Sequence, residues 1–174
     1  MEDRKFIEHL LTTNADHLVA FVDQQNEFEF EKADGSKWST GQTVEHLIRS
    51  LAPVNLALLL PAFLLRTLFG KPNREPRSYS GLVQRYHQKL AAGGRASGRF
   101  IPPRITNEQR SAKLKAFRKQ VDTLKSRLKN WSEAELDHYL LPHPLLGKLT
   151  IREMLFFSVY HIEHHHTVLK NRNS

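Results

Sequence analysis

Apolar residues recur at three- and four-residue spacing in four long stretches, the pattern of helices that bury one face. Phe6, Ile7, Leu10, Leu11, Leu18, Phe21 and Val22 make one such stripe and predict a helix from about Arg4 to Gln25. Val44, Leu47, Ile48 and Leu51 make a second stripe, opened by Ser39 and Gln42 at capping-box spacing. Pro53 predicts a kink or an end to that helix. The apolar run beyond it reads as a further helical piece that reaches Phe69 and is closed by Gly70. Leu114, Phe117, Val121, Leu124 and Leu128 form the seam of a bundle helix from about Asn107 to Asn130. A fourth helix opens at Thr150, whose spacing to Glu153 repeats the capping box, and carries Leu155, Val159, Ile162 and Leu169.

The stretches between these helices read differently. Lys71 to Arg104 is rich in proline, glycine and arginine, with a short helix predicted over Tyr79 to Leu90. Trp131 to Leu149 reads as a connection, because Pro142 and Pro144 exclude a continuous helix. No β-hairpin signal of comparable strength, internal repeat or glycine-rich phosphate loop is visible. The expectation is one domain over residues 1–174, an all-α four-helix bundle with a long basic insertion, about 70–105, between helices two and three.

Composition narrows the chemistry. The 174 residues suffice for one core, and the absence of cysteine excludes disulfides, thiolate metal sites and cysteine nucleophiles. Any metal must be held by histidine or carboxylate. The charged start, Met1 to Lys5, is not a signal peptide pattern, so the expected location is cytoplasmic. The apolar run Leu56 to Leu65 contains Pro61 and falls well short of the roughly 20 residues a membrane-spanning helix needs, so a core segment or dimer interface is expected. The formal net charge is +8, and Gly70 to Arg104 holds eight lysines and arginines against Glu75 alone. Such a segment reads either as a solvated insertion or as a surface for an anionic partner.

The candidate chemistry lies in histidines at opposite ends of the chain. His161 and His165 are four apart, hence on one face of the last helix, and two imidazoles so placed can grip one metal ion. His46, on the second helix, would complete a three-histidine set with coordination positions left open. Taken alone, His46 reads as a core histidine bonded to a backbone carbonyl. His164 is three from His161 and could replace His165, whereas His166 is expected to face outward. Glu45 and Glu163 point away from their ligand neighbours by about 100°, as surface or supporting groups. His17 suggests a structural role, His143 could approach the mouth of the site, and Trp38 is expected to pack at the start of its helix. No Ser-His-Asp set or catalytic carboxylate pair is apparent.

Two motifs carry a family resemblance. The stretch Trp38-Ser39-Thr40-Gly41-Gln42, with His46 and Leu47 after it, resembles the N-terminal signature of the DinB/YfiT-like family. Gly147 to Leu155, followed by Tyr160-His161-Ile162-Glu163-His164-His165, resembles its C-terminal signature. The resemblance implies an up-down-down-up four-helix bundle, often dimeric, with a divalent metal on His46, His161 and His165. It also implies metal-dependent chemistry of the thiol S-transferase or hydrolase type on a small electrophilic molecule, with a low-molecular-weight thiol as one partner. Zinc, nickel and iron all suit three imidazoles. Nucleic acid and a membrane span are not expected. The competing expectation is a non-catalytic dimeric bundle whose insertion binds an anionic partner through Arg74, Arg77, Arg95 and Arg99.

Overall fold

The computed structural model describes residues 2–35 and 37–172. Its elements are α1 (Arg4–Asp23), α2 (Glu27–Glu31), α3 (Thr40–Ala57), α4 (Ala62–Phe69), α5 (Tyr79–Ala91), α6 (Arg110–Leu128), α7 (Glu133–His138), β1 (Leu140–His143), β2 (Gly147–Thr150) and α8 (Ile151–Lys170). The four long helices α1, α3, α6 and α8 form the bundle. Around its perimeter α1 packs on α8, α8 on α3, α3 on α6 and α6 on α1.

Side-chain bonds fix the helix directions. The start of α1 meets the start of α8 through Arg152 and the Glu2 carbonyl, and Asn14 bonds the Val159 carbonyl halfway along, so these two run parallel. Arg4 reaches Trp131 beyond the end of α6, while Arg110 at its start reaches Gln25, so α1 and α6 are antiparallel. Glu45 pairs with Lys113 and Asn55 with Gln120, so α3 and α6 run together. The bundle is therefore up-down-down-up.

The local signals account for the helix starts. The Ser39 hydroxyl accepts from the Gln42 N–H at 3.2 Å, and the Gln42 side chain accepts from the Ser39 N–H at 3.0 Å. Thr150 and Glu153 exchange the same pair of bonds. The core is built from the anticipated stripes: Ile7, Leu11, Leu18, Val44, Leu47, Phe117, Leu124, Leu128, Leu155 and Ile162 are fully buried. Helix α3 runs through Pro53 and breaks only after Ala57, where Pro61 caps α4 and the chain turns by 110°. Gly70 ends α4 with φ 84°, the left-handed region that favours glycine.

One expectation needs correcting. Trp131 to Leu149 is not a plain connection: it contains α7 and the strand β1, which pairs antiparallel with β2. Strands of four residues, one holding Pro142, carry too little alternation to register in the sequence. The hairpin forms because Leu141, Leu146 and Leu149 are buried against the bundle. Trp38, expected to pack at the start of its helix, directly precedes the N-cap Ser39 and also lies against the histidines described below. Among the described residues no single helix is long and apolar enough to cross a membrane.

Candidate metal centre

Gly41 allows the start of α3 to sit against Phe30, since a Cβ at this position would lie 2.8 Å from the Phe30 ring and 3.0 Å from Ile105. From there His46 projects across the bundle toward α8, whose i, i+4 spacing presents His161 and His165 on the facing side. The Nε2 atoms of His46 and His161 are 3.2 Å apart, and those of His165 and His161 are 3.0 Å apart. One ligand atom from each of the three lies within 4.8 Å of the others. All three sequence-derived candidates thus converge. His164 does not join them: it turns toward Tyr86 and His87, while His166 packs beside Phe21 and His17 and is half-buried.

His46 Nδ1 is 2.8 Å from the Phe100 carbonyl oxygen. A carbonyl can only accept, so Nδ1 carries the proton and Nε2 offers its lone pair to the cluster. The His161 Nε2 can donate to only one of its two neighbours, so the centre is short of hydrogens and rich in acceptors. Burial pushes His46 below the ordinary histidine range. Burial, and then the neighbouring imidazoles, pushes His161 and His165 well below it. The neutral imidazoles this favours are the form that binds metal. Tetrahedral zinc–imidazole bonds of ~2.0–2.1 Å separate their nitrogens by ~3.3 Å, close to the two short spacings here. The donor set fits a divalent ion.

The surroundings hold the rings in place. Trp38 packs on His46 with centroids 4.7 Å apart, and Phe157 stacks on His161 at 4.7 Å. Arg49 donates to the carbonyls of Arg99 and Ile101, on either side of the Phe100 carbonyl that receives His46. Arg49 is itself held at 2.7 Å by Glu45, a buried carboxylate that also pairs with Lys113. Burial raises the Glu45 pKa, but its bonds to Lys113 and Arg49 outweigh this and bring it below the usual value. Glu45 therefore supports the centre through Arg49, while Glu163 is exposed and accepts from Tyr79.

A cavity of about 660 Å³ opens beside the histidines. Its walls are mostly apolar, with Val54 and Leu60 on one side, Leu141 and Leu145 on another, and Met154 and Phe157 from α8. Arg95 and Arg99 are its only charged lining side chains among the described residues. Arg74 and Arg77, in contrast, are committed to the fully buried Glu153. His143, expected near the mouth, lines the cavity wall, and His17 lies outside it. Sequence reasoning missed Arg49 and the Phe100 carbonyl, since neither carries a sequence signal of ligand support.

A family model described as the DinB superfamily matches residues 10–169. YfiT from Bacillus subtilis, a solved structure described as a probable metal-dependent hydrolase with an unusual four-helix bundle topology, shares the fold with a TM-score of 0.63. That match covers 99% of this chain and 88% of the other at 16% identity. No curated protein matches the chain in sequence.

Proposed function

This chain belongs to the DinB superfamily, and from that membership and its three converging imidazoles we propose that it is a metal-dependent enzyme acting on a small electrophilic molecule. His46, His161 and His165 are the proposed ligands. The observation that carries this reading is the approach of their Nε2 atoms to 3.2 and 3.0 Å, with the His46 tautomer set by Phe100. The chemistry that a divalent zinc, nickel or iron ion would supply is Lewis acidity, which makes a thiol or water nucleophilic near neutral pH.

The chain's own groups do the rest. Three protein ligands leave room for a nucleophile. The mostly apolar walls of the cavity suit the apolar body of a small substrate beside the three histidines. A thiol S-transferase and a hydrolase differ in which nucleophile enters, and both suit this site. The exposed Leu56, Leu59, Phe63 and Leu68 favour a homodimer. The pairing of Arg74 and Arg77 with Glu153 weighs against the reading in which they bind an anionic partner.

Elemental analysis of untagged protein beside a His161→Ala/His165→Ala variant tests the proposal. About one divalent ion per chain, absent from the variant, is expected for a three-ligand site. Protein that takes up no zinc, nickel or ferrous iron would remove it.

A further inference from the structure

His143 ends β1, and its ring is held on two sides. Its Nδ1 accepts from the backbone N–H groups of Leu145 and Leu146, at 3.1 and 3.0 Å. Phe157 packs edge-on against it with centroids 4.2 Å apart, and the same Phe157 stacks on His161. A nitrogen that accepts two N–H bonds carries no proton, so in the neutral ring the hydrogen sits on Nε2. Among the described residues Nε2 has no hydrogen-bond partner, yet it is not a sealed-off atom. Nε2 lies on the ring edge away from the hairpin turn, and His143 lines the cavity. Burial also holds its pKa down to about 4, so the ring is neutral across the physiological range.

We propose that His143 is a substrate-binding residue whose Nε2–H donates to an acceptor oxygen, such as a carbonyl, on a molecule whose body is otherwise apolar. A neutral imidazole fixed in one tautomer polarises a carbonyl without releasing a proton. It also fits the lining, since one oriented donor in an apolar wall selects ligands that bring one matching acceptor. The inference rests on the cavity beside the three histidines being the substrate site.

The test uses 4-phenyl-2-butanone and its hydrocarbon counterpart butylbenzene as probes of the full chain, in metal-free and zinc-incubated samples. His143→Asn is the informative variant. The Asn side-chain oxygen can still accept from the turn amides, but it brings no donor to the position of Nε2. Loss of one hydrogen bond should weaken ketone binding about five- to tenfold and leave butylbenzene within about twofold. Equal weakening of both probes, no weakening of the ketone, or no ketone binding by the wild type overturns the proposal. Imidazole ¹⁵N spectra of the wild-type protein should show a bare Nδ1 and a protonated Nε2 at His143, a reading that needs no variant to fold. A proton on Nδ1 overturns it. Zinc content measured on the same samples separates the two proposals. Selective ketone loss in protein that takes no zinc supports His143 while the metal reading fails, and zinc-replete protein without that loss does the reverse.

Discussion

His46 Nδ1 lies 2.8 Å from the Phe100 carbonyl oxygen, which joins the second bundle helix to a turn 54 positions away in the chain. The bond decides which His46 nitrogen is free, and so makes the residue a ligand candidate as well as a core histidine. Arg49 secures the turn by binding the carbonyls of residues 99 and 101, so the two bonds cooperate.

Arg49→Leu should therefore weaken zinc binding without touching a ligand. Loss of ligand-orienting groups typically costs roughly 10–100-fold in affinity, and competition against a chelator would read it. Unchanged affinity would mean that the turn holds its carbonyl on its own.

Single alanine variants separate the adjacent histidines on α8. His165→Ala should lose the bound ion, and His164→Ala should keep it, because His164 faces Tyr86 and His87. Elemental analysis of both decides the assignment, and the reverse result would exchange the two ligands.

Glu153 is fully buried and accepts from Arg74, from Arg77 and from the Thr150 N–H. Removing one partner of a buried ion pair commonly costs roughly 3–5 kcal/mol, so Glu153→Gln should lower the urea midpoint strongly. Burial raises the Glu153 pKa, but its bonds to Arg74 and the backbone amides outweigh this and hold it below the usual value. Its contribution is therefore present above the unfolded carboxylate pKa and is lost as pH falls through the lower folded value.

The histidines predict a separate pH effect in metal-free protein. His46, His143, His161 and His165 all have folded values below the ordinary histidine value of 6.5, His143 at about 4. Below pH 6.5 the unfolded chain binds more protons, so stability should be highest above that value and fall as pH drops toward 4 and beyond. Thermal midpoints measured across this range should show the decline, with a shallower slope in His143→Asn.

Gly41→Ala should destabilise the protein by roughly 1–3 kcal/mol, the usual cost of overpacking, because its Cβ would meet Phe30 and Ile105. Thermal denaturation would show it, and a neutral result would mean that the Phe30 ring moves aside.

Much of this molecule could be read before its structure. The stripes through Leu11, Leu47, Phe117 and Leu155 marked the four helices, because a helix that buries one face must repeat apolar residues at its own period. Ser39 and Thr150 marked two helix starts, because capping is satisfied by residues three apart. The i, i+4 spacing of His161 and His165 followed from the same local geometry.

What depends on contacts between distant segments had no such signature. The β1–β2 hairpin is too short for its alternation to register and is held by the core beneath it. Trp38 could be placed at the start of its helix but not against His165, 127 positions later. Local periodicity thus determined the helices, their starts and the shared face of His161 and His165, because each rests on residues within a turn or two of one another. Only the folded chain decided that His46 meets that face, that Phe100 sets its tautomer and that the Leu145 and Leu146 amides hold the His143 ring on the cavity wall, because these depend on where backbone carbonyls and amides come to rest.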